Sequence, residues 1–209
     1  TIMKNFISVC GYGSTGSSAV VNLIEESNEI ITFGEEFRLF QEVDGLQNLV
    51  SNLKHSWSWI KSDAYIRRFI KYTNILGRNN TIFQFGSKLD VIFNNKFYFH
   101  RDNFLNELID SEWYGYSFHH DYNERNKLEV IIEQFKRGLF YLGFSHKFVR
   151  KITKKFKSYY VRPDINIDYL AAKFIENLLN ELLLNKEYKG IIFDQALLPY
   201  DFKNYQKFI

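Results

Sequence analysis

Residues 11–18, Gly-Tyr-Gly-Ser-Thr-Gly-Ser-Ser, constrain the fold more than any other stretch. They join an apolar run, Phe6 to Cys10, to a helix-patterned one, Ala19 to Glu26. A strand, a glycine-rich turn and a helix in that order make an anion cradle. Glycine permits φ > 0 and leaves no Cβ against a phosphate, while the unpaired amides of the first helical turn point at it. Ser17 and Ser18 add hydroxyls to that turn. A tight turn that binds nothing is the plain alternative, and three glycines with four hydroxyl residues in eight positions weigh against it.

The string partly fits two nucleotide-site patterns. As G-x-G-x-x-G it is the Rossmann fingerprint, with Glu35 or Glu36 standing about 20 residues on, where a ribose-binding acid belongs. As Walker A it has Gly11 and Gly16 at the required separation but Ser17 in the place of the lysine. The long middle of the chain does not repeat the βαβ period of a Rossmann domain, which disfavours the first pattern.

A wider pair of motifs points elsewhere. A strand, then G-x-x-[RK]-[ST]-G-[ST]-[ST], then a helix and a short strand ending in Gly34-Glu35-Glu36-Phe37-Arg38 resembles the sulfotransferases that use 3′-phosphoadenosine-5′-phosphosulfate. The protein-tyrosine and carbohydrate branches are most similar, over residues 1–40 and more weakly over 191–199. The resemblance implies an α/β, P-loop NTPase-like three-layer fold, with a central parallel sheet and a large helical insertion (45–157) in one domain spanning 1–209. It also implies a continuation beyond Ile209 that carries the site for the donor's 3′-phosphate. Gly13, Ser14, Thr15, Gly16, Ser17 and Ser18 would hold the donor, Glu36 would be the base, and Arg38 would orient it. The acceptor would be a hydroxyl of a glycan or small metabolite, and binding needs no metal.

The chain departs from the family twice. Ser14 stands where the family has Lys or Arg, and Gln195 where the heparan-type enzymes have a lysine on the bridging oxygen. Arg38, Arg101 and Arg162 are the candidate replacements. A P-loop small-molecule kinase and a non-catalytic nucleotide-binding protein remain open as alternatives.

With 45% apolar and 18% aromatic residues in 209, the chain can bury a sizeable core. It has no uncharged apolar run of spanning length and no signal-peptide pattern at its start, so a bacterial cytoplasmic protein is expected. The lone Cys10 ends an apolar run and reads as a buried thiol. Nucleic acid is not an expected partner. Net charge is +3, yet nine Lys or Arg and no acid lie between Glu133 and Asp164. Within that segment Phe148, Ile152 and Phe156 alternate with Lys147, Arg150, Lys151, Lys154 and Lys155, which predicts a basic amphipathic helix. Its place over 147–157 suggests peripheral contact with a membrane, an acidic glycan or the nucleotide.

Elsewhere the periodicity predicts strands over Ile2–Cys10 (central), Ile30–Phe33 (its parallel neighbour), Ser158–Arg162 and Gly190–Asp194. Helices are expected over Ser17–Glu26, Gly45–Leu76, Asn103–Ile109, Lys127–Leu142 and Asn166–Lys186, the last capped by Asn166. Val20, Val21, Leu23 and Ile24 should face the sheet. His100-Arg101-Asp102 matches a kinase catalytic-loop fragment without the flanking motifs, and His119-His120-Asp121 lacks metal-ligand spacing, so both read as chance.

Overall fold

A computed structural model describes residues 5–9, 16–27, 29–40, 42–82, 85–115, 127–145, 147, 156–183 and 188–194. They form a mixed α/β fold. In chain order it runs β1 (Asn5–Val9), α1 (Ser17–Glu25), β2 (Ile30–Glu36), α2 (Leu46–His55), α3 (Trp59–Gly77), α4 (Leu89–Ile92) and α5 (Phe97–Leu108). It continues with β3 (Ser111–Gly115), α6 (Lys127–Tyr141), β4 (Phe156–Tyr160), α7 (Ile167–Leu183) and β5 (Gly190–Asp194).

The parallel sheet has the order β1-β5-β2, which corrects the expectation that β1 is central with β2 beside it. The composition of β5 explains its place. Gly190 to Phe193 are all buried and uncharged, so this strand can be covered on both faces. β1 contributes half-buried Ile7, Ser8 and Val9 instead. Because both outer strands run parallel to β5, their C-terminal ends still share one edge of the sheet.

β2 keeps register with β5 from Ile30–Gly190 to Thr32–Ile192 and then slips, so that Glu36 faces Asp194. Four residue steps on β2 therefore span two on β5, which is a bulge. Buried aromatics pin both ends of it. Phe33 and Phe37 lie 5.0 Å apart by ring centroid, at 5.3 and 5.0 Å from Phe193. On α1 only Val21 of the four expected apolar residues is buried; Ile24 is half-buried, and Val20 and Leu23 face solvent.

The helices follow their 3.6-residue pattern closely where they meet the core. Leu46, Leu49, Val50 and Leu53 on α2, and Leu170, Phe174, Leu178 and Leu182 on α7, are all buried. Asn166 caps α7, its Oδ1 accepting from the Tyr169 amide at 3.2 Å. The single helical stretch expected over 45–76 is instead two helices. Ser58 caps the second by accepting from the Lys61 amide at 3.3 Å, while Trp57 is 36% and Ile60 51% exposed. The Trp57 Nε1 donates to the Val161 carbonyl at 3.0 Å. α5 begins at Phe97 rather than Asn103, because Phe97 itself is fully buried.

A second, antiparallel pair joins β3 to β4, with Ser111 opposite Tyr160 and Gly115 opposite Phe156. The predicted basic helix is thereby corrected at its end, since Phe156 and Lys157 open a strand that stops at Tyr160. Its positions 148–155 lie outside the described residues. The buried carboxylate of Asp63 anchors β4 to α3, accepting from the Tyr159 amide at 2.9 Å and from Arg67 Nε at 3.3 Å. Among the described residues no helix is long and apolar enough to cross a membrane.

Candidate functional site

Val9, Asp194 and Glu36 lie side by side where the three parallel strands end. Ligands of open α/β sheets bind outside that edge. Gly13, Ser14, Thr15 and Gln195 lie outside the described residues, as does Cys10. The described chain resumes at Gly16, which holds the left-handed conformation (φ 85°, ψ 18°) as the residue before α1. A Cβ built there meets nothing within 4 Å, so the backbone conformation, and not a lack of room, calls for glycine. Among the described residues no side chain caps the start of this helix. The Ala19 amide bonds back to the Gly16 carbonyl at 3.1 Å.

Ser17 is buried, whereas Ser18 is exposed and its hydroxyl donates to Asp194 Oδ2 at 2.7 Å. This bond ties the first turn of α1 to the end of β5, across 176 positions of sequence. The second carboxylate oxygen, Oδ1, is buried and has no hydrogen-bond partner among the described residues. A carboxylate oxygen in that state is costly unless something occupies it. Sequence reasoning noted Asp194 as a strand end and gave it no role. The available signal was an acid closing an otherwise uncharged buried strand.

Glu36 belongs to this row through its backbone, opposite Asp194. Phe37, fully buried, holds the next position, and the carbonyl of Arg38 accepts from the Tyr72 hydroxyl at 2.9 Å. Burial, and then the charge of Glu42, raises the Tyr72 phenol well above its ordinary range, so it stays a donor at neutral pH. Beyond Arg38 the turn closes at Gly45, where a Cβ would lie 2.7 Å from the Leu39 carbonyl oxygen.

Of the three replacement cations, Arg38 alone follows β2 directly. Arg101 is buried on α5, bonded to Asn74 Oδ1 at 2.5 Å and Asp102 Oδ1 at 2.7 Å, with its guanidinium 4.8 Å from the centre of the Tyr98 ring. Arg162 pairs with Asp110 at 3.3 Å beside β4. His100 bonds Glu181 at 2.9 Å across α5 and α7, so His100-Arg101-Asp102 does packing work. His119-His120-Asp121 lies outside the described residues. A hollow of about 330 Å³ on α3, with Arg67, Lys71 and Arg78 in its wall, takes no residue from the parallel sheet or α1. Set against protein-family models, curated proteins and solved structures, the chain matches none.

Proposed function

We propose that the chain has a P-loop NTPase-like three-layer fold and transfers a sulfuryl group from 3′-phosphoadenosine-5′-phosphosulfate to a hydroxyl of a glycan or small metabolite. The observation that carries this reading is the convergence of the uncapped α1 terminus after Gly16, the Ser18–Asp194 pair and Glu36 at one sheet edge. Helix amides with partial positive charge suit the 5′-phosphosulfate. The Glu36 carboxylate takes the acceptor's proton as the acceptor oxygen attacks sulfur. The sulfur–oxygen bond to the 5′-phosphate breaks, and adenosine 3′,5′-bisphosphate leaves. With Ser14 and Gln195 in place of the usual cations, Arg38 supplies positive charge to the leaving group. A preorganised stabiliser of this kind is typically worth about 2.7–4 kcal/mol.

One observation favours a second reading, phosphoryl transfer from a nucleoside triphosphate. Where P-loop proteins bind Mg²⁺, a hydroxyl of the first helical turn and an aspartate on a strand hold it, and Ser18 with the unpartnered Oδ1 of Asp194 fits that donor set. Phosphate oxygens and water would complete the shell, as Mg²⁺ ordinarily requires. Calorimetry separates the two. Metal-independent binding of adenosine 3′,5′-bisphosphate, tighter than ATP or NAD, is expected on the first reading. Binding of ATP only with Mg²⁺, lost in Asp194→Asn, would replace it with the second, and binding of NAD alone would reject both.

A further inference from the structure

The hollow on α3 is lined by polar side chains of one kind. Arg67, Lys71, Asn74 and Arg78 follow one another at intervals of four, three and four residues, which stacks them along one face of the helix. Tyr159 of β4 supplies a further wall, and Ile70 and Ile75 add apolar surface. No acid is among these residues. Asn74 Oδ1 accepts from Arg101 at 2.5 Å, so what its amide has left to offer is a donor. From Ala64 to Leu89 the chain carries five Lys or Arg and no Asp or Glu.

Local structure does not account for this concentration of positive charge. Arg67 and Lys71 are i, i+4 neighbours, a spacing at which like charges oppose helix formation. Cations near a helix end often serve its last carbonyls, but on α3 other donors hold these. The Tyr98 hydroxyl donates to the Asn74 carbonyl at 3.3 Å, the Arg78 amide to Ile75 at 3.3 Å and the Ser87 amide to Leu76 at 3.2 Å. Asp63 engages Arg67 through its Nε. Lys71 and Arg78 are exposed and pair with no carboxylate among the described residues.

A ligand that suits this lining carries concentrated negative charge on a small apolar body. The volume of about 330 Å³ is near the lower end of small-molecule sites, about 300–1,000 Å³. A guanidinium fork and an ammonium group match the oxygens of a tetrahedral oxyanion. We propose that this hollow binds the phosphate or sulfate group of a small organic monoester. Lys71 and Arg78 engage its oxygens, Asn74 donates through its amide, and Ile70 and Tyr159 lie against the apolar part. Arg67, fixed by Asp63, adds charge. The site shares no residue with the sheet edge and is independent of the sulfuryl-transfer reading.

Calorimetry of the whole chain with phenyl phosphate, phenyl sulfate, benzoate and inorganic phosphate tests this. One of the two esters should bind more tightly than benzoate, which has the ring without the tetrahedral oxyanion, and than inorganic phosphate, which lacks the ring. The tighter ester identifies the group. Binding should weaken as salt rises. Lys71→Gln/Arg78→Gln should lower the affinity by at least about tenfold, whereas Lys71→Arg/Arg78→Lys should largely retain it. Both side chains are exposed, so circular dichroism should show both variants folded. Absence of binding by either ester, or benzoate or inorganic phosphate binding as tightly, overturns the proposal. So does an unchanged affinity in Lys71→Gln/Arg78→Gln, which would place the ligand elsewhere on the chain.

Discussion

Replacing Gly16 with alanine tests whether the turn before α1 is built as described. At φ 85° an L residue is strained by roughly 1–2 kcal/mol. No neighbour would clash with the added Cβ, so steric crowding contributes nothing further. Alanine also restricts the unfolded chain, which offsets about 0.4–1 kcal/mol. The net loss should be about 1 kcal/mol, or a fall in Tm of roughly 2–4 °C for a domain of this size. Asparagine, which tolerates the left-handed region, should lose less than alanine. Thermal denaturation with and without adenosine 3′,5′-bisphosphate provides both readouts. In the native protein a ligand at 100 times its Kd should add about 2.7 kcal/mol, and a bulky residue at 16 should abolish that shift by turning the amides away. An unchanged Tm in Gly16→Ala would refute the backbone conformation. A lowered Tm with an intact ligand shift in the bulky variant would remove this turn from the binding site.

Three other outcomes follow from the same structure. Glu36→Gln should reduce sulfuryl transfer by on the order of 10²–10⁴ with donor affinity nearly unchanged, whereas Glu35→Gln should do less to turnover; transfer from labelled donor reads both, and a greater loss in Glu35→Gln would reverse the assignment. Asp63→Ala leaves the buried Tyr159 amide without its acceptor and should cost about 2 kcal/mol in urea denaturation, while Asp63→Asn keeps an acceptor for that amide and weakens the Arg67 contact, and should cost less. Burial raises the phenols of Tyr72, Tyr98 and Tyr159 above the ordinary 10.0, so the folded state holds these protons longer than the unfolded state. Their contribution is complete below pH 10 and is lost as pH rises above it. Tyrosinate absorbance should therefore show a late fraction that appears together with unfolding, and Tyr72→Phe should reduce it.

Local pattern alone was enough to read the first strand and the helix that follows Gly16, the buried run Gly190–Phe193, and the Leu170–Phe174–Leu178–Leu182 stripe with its Asn166 cap. Each depends on periodicity or backbone preference within a dozen residues, which sequence records directly. Strand order does not, because β5 enters between β1 and β2 from more than 150 positions away and apolar composition names no partner. The bulge that sets Glu36 opposite Asp194 depends on Phe33 and Phe37 both packing against Phe193, a contact between distant segments. Likewise the pattern over Lys127–Leu142 announced a further helix like any other. Only the tertiary structure decides which of its side chains are covered, because periodicity specifies which side chains share a face and packing specifies what covers it; among the described residues Leu128, Ile131 and Phe135 are exposed.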